Sequence, residues 1–134
     1  MKNLEQAKEY FKNDTFAVQQ TGIEIISAGE GYAKCSLKTD ERHINSMGNI
    51  MGGVFFTLAD YAFAIAANFA APTTVTQTAQ IVYFAIPKGD MLYAEAERVR
   101  SGRSTCFYKV RISDTTGADV AFVTVTGFII GGEK

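Results

Sequence analysis

Hydrophobic positions near the beginning of the chain recur with helical spacing. Leu4, Ala7 and Phe11 lie three or four positions apart among lysines and glutamates, which predicts a short amphipathic helix within residues 3–13. Residues 15–20 predict a turn or a second short helix. We therefore expect helical structure before the first strand.

Six later segments alternate between apolar and polar residues with the period of two that is typical of strands. They cover residues 23–27, 32–38, 75–86, 91–100, 105–113 and 119–130. The turn Ala28-Gly-Glu-Gly31 predicts a hairpin between the first two, and turn residues between the last four predict a meander. The alternation indicates a sheet with one apolar face, and another element of the protein must pack against that face to bury it.

The longest apolar stretch runs from Gly52 to Ala70 and predicts a helix. A membrane-spanning helix needs about 20 apolar residues, so the length is marginal. Asp60 lies at the middle and would cost on the order of 3 kcal/mol at a bilayer centre, and Thr57 and Asn68 add to that cost. We therefore expect a helix buried in a soluble protein, with no membrane partner.

A helix that is apolar nearly all round must be enclosed, and a one-faced sheet must be covered. A strongly curved antiparallel sheet of about five to six strands, wrapped around this central helix, satisfies both demands. The predicted fold class is therefore α+β, with an additional short N-terminal helix. No linker or repeat interrupts the pattern, so residues 1–134 are expected to form a single domain.

Composition narrows the possible functions. A chain with 47% hydrophobic and 20% charged residues is an ordinary globular protein, and a net charge of −1 argues against nucleic-acid binding. His43, Cys35 and Cys106 are too few for a typical zinc site, so no metal is expected. The charged first ten residues lack an apolar signal core, which predicts a cytoplasmic protein with both cysteines reduced and packed in the core.

Asp60 is the one charged residue of the central helix and its best candidate for a chemical role. A buried ionised carboxylate must be hydrogen-bonded, exposed to a cleft or protonated. One interpretation is a structural aspartate that accepts hydrogen bonds and fixes a loop or a dimer. The other is a carboxylate whose pKa is raised by burial and which faces a substrate channel.

The loop that precedes the helix delivers Gly52 and Gly53 to its N-terminus, where backbone N–H groups have no partner within the helix. Without a Cβ, these residues let a ligand carbonyl approach closely. Gly52 and Asp60 are about 12 Å apart along one helix, too far to act on one carbonyl. Either the two groups come from different subunits or one of them is not catalytic.

Three stretches carry a resemblance to a known family: HINSMGNIMGGVFFTLADYAFAIAAN in residues 43–68, TAQIVYFAIPKGD in 78–90 and SGRSTCFYKVRISDTTG in 101–117. They are similar to the PaaI-like hotdog-fold acyl-CoA thioesterases. The family pattern is an asparagine, a glycine-containing loop, His-Gly-Gly, and a helix that carries Leu-Ala-Asp. The resemblance implies a hotdog fold, hydrolysis of a small acyl- or aryl-CoA, and active sites at the interface of a homodimer that pairs into a tetramer.

The resemblance also implies roles for particular residues. The Gly52 N–H polarises the thioester carbonyl, Asn45 holds that carbonyl or the water, and Asp60 of the other subunit acts as general base or as nucleophile. Thr76 supplies a hydroxyl near the water. The substrate-binding residues are Met51, Gly53, Phe56, Arg100, Gly102, Arg103 and Ser104. Coenzyme A is part of the substrate, and no separate cofactor is expected.

Two features of the sequence leave alternatives open. The family histidine before Gly-Gly is Met51 here, so the chain is either an active thioesterase or a catalytically weak protein that binds or senses acyl-CoA. Basic residues concentrate around the Ser101-Gly-Arg-Ser104 turn, where they either contact the coenzyme A phosphates or form a solvated strand face. The phenylalanines of the helix and its end, Phe55, Phe56, Phe63 and Phe69, are expected in the core, with one lining a channel.

Overall fold

The computed structural model describes residues 1–71 and 73–130, so Pro72 and residues 131–134 of the predicted single domain lie outside it. Two α-helices are present, α1 (Leu4–Phe11) and α2 (Gly52–Asn68). A short π-helical segment covers Phe16–Thr21, and a 3-10 turn covers Glu41–His43. The strands are β1 (Ile23–Gly29), β2 (Tyr32–Lys38), β3 (Thr74–Tyr83), β4 (Met91–Ser101), β5 (Thr105–Asp114) and β6 (Asp119–Ile129).

The six strands form one antiparallel sheet in the order β1-β2-β4-β5-β6-β3. Strands β4, β5 and β6 form the predicted meander. The prediction is wrong for β3, which pairs with β6 at the edge instead of with β4. Beyond Tyr83 the backbone N–H groups of Phe84 and Ala85 both donate to the Val120 carbonyl, and the chain then returns to β4. The edge position of β3 therefore depends on contacts between residues far apart in sequence.

Helix α2 occupies the concave side of the sheet. Leu58, Ala62 and Phe63 are at most 1% exposed, and each large apolar side chain buried in this way contributes roughly 2 kcal/mol. The helix is enclosed on most sides, as predicted, but an open stripe along one side is only half-buried. The open stripe consists of Phe56, Thr57, Asp60, Ala64 and Ala67. Asp60 thus lies on the one side of the helix that its own chain does not fully cover.

Both cysteines are free and buried, as predicted for core packing. Burial raises the pKa of the Cys35 thiol to about 12 and also raises the pKa of Cys106. Thiolates are therefore disfavoured at both positions. Separately, no helix in the described part of the chain has the length and apolar character needed to cross a membrane.

Candidate active site

A buried histidine, His43, holds the loop before α2 in place through hydrogen bonds. His43 Nδ1 accepts a hydrogen bond from the Asp40 N–H at 2.9 Å, and Nε2 lies 2.8 Å from the Thr21 carbonyl oxygen, so the proton belongs on Nε2. The His43 carbonyl accepts from the Met51 N–H at 2.9 Å. His43 therefore anchors the loop, and both of its ring nitrogens are occupied. It is not available as a base, and the spacing of Asp40 and His43 as a capping box could have indicated this from sequence.

Asn45 shapes the same loop. Its side-chain oxygen accepts hydrogen bonds from the Met47 N–H at 2.9 Å and the Asn49 N–H at 3.0 Å. Gly48, with a φ of +85°, completes the turn in a conformation that favours glycine. Among the residues that the structure describes, nothing accepts from the Asn45 side-chain nitrogen. Asn45 could therefore offer a ligand this N–H₂ group, while its oxygen is already committed to the loop.

Helix α2 begins with two N–H groups that have no acceptor within residues 1–71 and 73–130, those of Gly52 and Gly53. The missing Cβ atoms also matter for packing within the chain, beside the predicted approach of a ligand carbonyl. A Cβ on Gly52 would lie 2.9 Å from the Tyr83 hydroxyl, and one on Gly53 would lie 2.9 Å from the Met51 terminal methyl. Close packing against Tyr83 thus favours glycine at position 52, whereas at position 53 the flexible end of Met51 can move aside.

Asp60 meets a hydroxyl of the edge strand. Thr76 Oγ1 donates to Asp60 Oδ1 at 3.2 Å, a contact that was not predicted, since the resemblance implied only a Thr76 hydroxyl near the water. Burial raises the pKa of Asp60 above its ordinary value of 3.8, and the hydrogen bond from Thr76 opposes that rise. The result is a half-buried carboxylate with one oriented donor and a raised pKa, which are properties of a general base.

A second carboxylate, missed by the sequence reasoning, lies near Asp60. Asp14, just after α1, lines the same cleft, and its pKa is raised by burial and then by the charge of Asp60. No spacing in the sequence connects positions 14 and 60, so no local pattern could have found this proximity. Repulsion between the two carboxylates disfavours the doubly ionised state.

Two adjacent clefts run along α2. The Asp60 cleft, of about 340 Å³, is lined by Asp14, Thr15, Phe16, Ala17, Thr57, Asp60 and Tyr61. The Met51 cleft, of about 550 Å³, includes Met51, Gly53 and Val54 and shares Phe16 and Thr57 with the first. Phe16, 65% exposed, stands between them. The structure therefore brings Met51 and Gly53 to one end of a groove and Asp60 to the other.

Other predicted site residues are separated from this groove. Phe56 is half-buried on the open stripe, whereas Phe55, Phe63 and Phe69 are buried, and Phe55 lines a third cleft beside Tyr83. Gly52 remains about two helical turns from Asp60, roughly 12 Å along the axis. One copy of the chain cannot bring both groups to a single carbonyl.

The basic turn between β4 and β5 contains two arginines with no acidic partner in the described ranges, Arg100 and Arg103. The other three cations of the region are paired: Arg98 with Glu30, Lys109 with Glu97, and Arg111 with Glu95 and Asp119. Gly102 and Ser104 are held by backbone hydrogen bonds to Thr105 and Ile129. The strand-face explanation therefore fits Arg98, Lys109 and Arg111, whereas the contact of Arg100 and Arg103 with an anionic ligand stays a prediction.

No group of three or more histidine, cysteine or acidic side chains within the described residues could hold a metal ion.

Comparisons with known proteins identify the family of this chain. The thioesterase superfamily model matches residues 47–121. The acyl-coenzyme A thioesterase PaaI of Escherichia coli K12 is 32% identical over 135 residues, covering 98% of this chain and 94% of that protein. The 1,4-dihydroxy-2-naphthoyl-CoA hydrolase of Listeria monocytogenes is 32% identical over 103 residues, covering 74% of this chain and 84% of that protein.

Solved structures match over most of the chain. The E. coli PaaI protein of the phenylacetic acid degradation operon has a TM-score of 0.84 at 25% identity, covering 95% of this chain and 93% of that one. A hypothetical thioesterase of Streptococcus pneumoniae TIGR4, solved with coenzyme A, has a TM-score of 0.79 at 28% identity, covering 91% and 95%. These matches and the fold define a thioester hydrolase with the hotdog architecture. The chain belongs to the thioesterase superfamily, in which it is PaaI-like.

Proposed function

We propose that the protein hydrolyses the thioester of a small acyl- or aryl-CoA, with Asp60 activating water and the Gly52 N–H polarising the carbonyl. The observation that carries this proposal is Asp60 itself, a half-buried carboxylate with a raised pKa, hydrogen-bonded to Thr76 and facing a cleft. The relatives named for acyl-CoA and dihydroxynaphthoyl-CoA hydrolysis support the substrate class.

The active site is completed by a second copy of the chain. Strand β3 is ten residues long and pairs with β6 on one side, and no described strand pairs with its other side. Val75 and Val82 are exposed along it, and a long apolar edge strand of this kind favours pairing with another chain. Because Thr76 links β3 to Asp60, a second copy paired at this edge approaches the catalytic carboxylate. Dimers of this kind pairing into a tetramer are part of the proposal.

In the proposed reaction, Asp60 removes a proton from water while the oxygen attacks the thioester carbon. The Gly52 N–H of the other copy stabilises the negative charge that develops on the carbonyl oxygen. The carbon–sulfur bond then breaks, coenzyme A leaves as the thiolate, and the proton held by Asp60 is released to it or to solvent. In the nucleophilic variant Asp60 attacks the carbon itself, the carbon–sulfur bond breaks and coenzyme A leaves as the thiolate. Water then hydrolyses the resulting mixed anhydride, which releases the acid and restores Asp60.

The phosphates of coenzyme A are assigned to Arg100 and Arg103, with Gly102 and Ser104 shaping the turn. Both arginines are exposed, and guanidinium groups pair with phosphate through two parallel hydrogen bonds. The acyl group is assigned to the groove that Met51 and Gly53 line, with Phe56 half-buried nearby on the open stripe of α2. We place the reaction in the cytoplasm, with no nucleic acid, membrane or separate cofactor taking part.

Release of free thiol from short, medium and aryl acyl-CoAs tests this proposal. The wild type is compared with Asp60→Asn, which preserves shape and removes the base, and with Asp119→Asn, which removes an exposed carboxylate on β6. We expect Asp60→Asn to lower kcat by about 10²–10⁴-fold and Asp119→Asn to leave it unchanged. Binding of acyl-CoA without release that depends on Asp60 would favour the sensing protein instead, which Met51 in the histidine position makes the second candidate.

A further inference from the structure

Tyr83, the last residue of β3, is tied to the first residue of α2. Its hydroxyl donates a hydrogen bond to the Gly52 carbonyl oxygen at 2.9 Å. Its ring meets Phe55 edge-on, with the centroids 5.6 Å apart and the planes at 80°. The hydroxyl also occupies the space that a Cβ on Gly52 would need. The start of the helix is thus fixed to the edge strand by a side chain to which the proposed reaction assigns no role.

The hydrogen bond acts on a particular peptide unit. The Gly52 carbonyl and the Gly53 N–H belong to one planar group, so a contact that fixes the direction of the carbonyl also fixes that of the N–H. A hydrogen bond to the carbonyl oxygen further polarises the amide and makes its N–H a stronger donor. Tyr83 therefore influences the Gly53 N–H without approaching it.

The neighbouring donor is held by an equivalent contact. The Gly52 N–H shares its peptide unit with the Met51 carbonyl, which accepts from the Val54 N–H at 2.9 Å. The two free N–H groups at the start of α2 thus each belong to a peptide unit whose carbonyl is hydrogen-bonded. Tyr83 supplies the one of these two contacts that comes from outside the helix.

We propose that Tyr83 is a positioning residue that holds the Gly53 N–H as a second donor, beside the Gly52 N–H, to the thioester carbonyl oxygen. This inference rests on the proposed function, because it concerns the same carbonyl-binding site. Its consequence is that loss of the hydroxyl affects the chemical step more than the binding of substrate.

The first test uses Tyr83→Phe, which keeps the ring against Phe55 and removes only the hydroxyl. We expect kcat to fall about tenfold with KM nearly unchanged, less than the 10²–10³-fold cost of removing a whole oxyanion donor. Tyr10→Phe is the matched control, since Tyr10 on α1 is 46% exposed and Tyr83 is 50% exposed. An unchanged kcat, or a change in KM alone, overturns the positioning role.

The second test measures the contact without relying on activity. In Gly52→Ala the new methyl group collides with the Tyr83 hydroxyl at 2.9 Å, and in the Tyr83→Phe background the nearest atom is the ring carbon Cζ at 3.2 Å, so the collision is reduced. The loss of Tm caused by Gly52→Ala should therefore be smaller in the Tyr83→Phe background than in the wild type. Additive losses of Tm would show that the hydroxyl does not lie over Gly52 and would overturn the inference.

Failure of this inference is distinguishable from failure of the proposed function. Thiol release that depends on Asp60 but not on the Tyr83 hydroxyl overturns the positioning role and leaves the thioesterase intact. A wild type that releases no thiol overturns both proposals. A Tyr83→Phe protein in which the loss of kcat equals the loss of folded protein at the assay temperature, while the Tyr10→Phe control loses neither, reduces Tyr83 to a structural residue.

Discussion

Thr76 Oγ1 donates a hydrogen bond to Asp60 Oδ1 at 3.2 Å and so connects the edge strand β3 to the open stripe of α2. The contact has two effects on the carboxylate. It orients one oxygen, and it opposes the rise in the pKa of Asp60 that burial causes. Position 76 therefore controls both the geometry of the proposed base and the pH range in which the base is ionised.

Removal of the Thr76 hydroxyl should shift the pH dependence of hydrolysis. In Thr76→Val the pKa of Asp60 rises further, so the acid limb of kcat/KM moves to higher pH. On that limb we expect a loss of about tenfold, corresponding to about 1.5 kcal/mol for one hydrogen bond to a charged group. Thr76→Ser retains a hydroxyl and should keep the wild-type limb. An identical limb in the valine and serine variants would contradict the role of this hydrogen bond.

Asp60 should also reduce the stability of the fold near neutral pH. Its folded-state pKa is raised above 3.8, so its contribution to stability is fully present below that pH and is lost as the pH rises through the folded pKa. Asp60→Asn has no charge to bury. We therefore expect its Tm to exceed that of the wild type by a few degrees at pH 7–8 and the difference to shrink toward pH 4.

Circular dichroism melts at several pH values measure this effect. Asp119→Asn provides the comparison, because Asp119 is exposed and paired with Arg111. A difference in Tm between Asp60→Asn and the wild type that does not vary with pH would contradict the assignment of a raised pKa. Greater stability combined with lost activity is typical of a carboxylate retained for chemistry.

The two arginines without acidic partners should matter only for substrates that carry phosphate. We expect Arg100→Gln combined with Arg103→Gln to raise KM for an acyl-CoA about tenfold and to weaken its dependence on salt. The corresponding acyl-pantetheine lacks these phosphates and should show no change. Lys12→Gln, a loss of positive charge at the end of α1, is the control. Equal effects on both substrates would place the phosphates elsewhere.

Local patterns identified much of this molecule, because they depend on neighbours in sequence. The helical run predicted α2 and the alternation predicted the strands. The capping box of Asp40 and His43 is also a local pattern, but it was not predicted. Pairing of β3 with β6 was not predictable in this way, since the meander is the simplest connection and the actual one joins residues such as Ile81 and Val123.

The site shows the same division. Asp60 and Thr76 were proposed from sequence, and the structure places them in contact. Tyr83 was missed because it reaches Gly52 from 31 positions away, through a side chain that looks like any other strand aromatic. Asp14 was missed for the same reason. Contacts of this kind arise from how the sheet curves around α2. The spacing of apolar and polar residues within one helix or strand does not reveal that curvature.

Met51 offers the sharpest test of how the acyl group is accommodated. Its side chain is 54% exposed, lines the Met51 cleft and lies close over Gly53, where the family pattern has a histidine. Met51→His introduces a hydrogen-bond donor at the start of α2 and removes a flexible apolar wall. We expect kcat/KM to rise by up to about tenfold for short acyl-CoAs, and the preference for bulky acyl groups to fall.

Met47→His provides the matched control for this change. Met47 lies in the same loop and is 83% exposed, but it does not line the Met51 cleft. A histidine there should leave the ratio of kcat/KM between short and aryl acyl-CoAs unchanged. If Met51→His also leaves this ratio unchanged while the protein remains folded, position 51 does not shape the acyl site. The groove must then be defined by other residues, of which Phe16, standing between the two clefts, is the first to substitute.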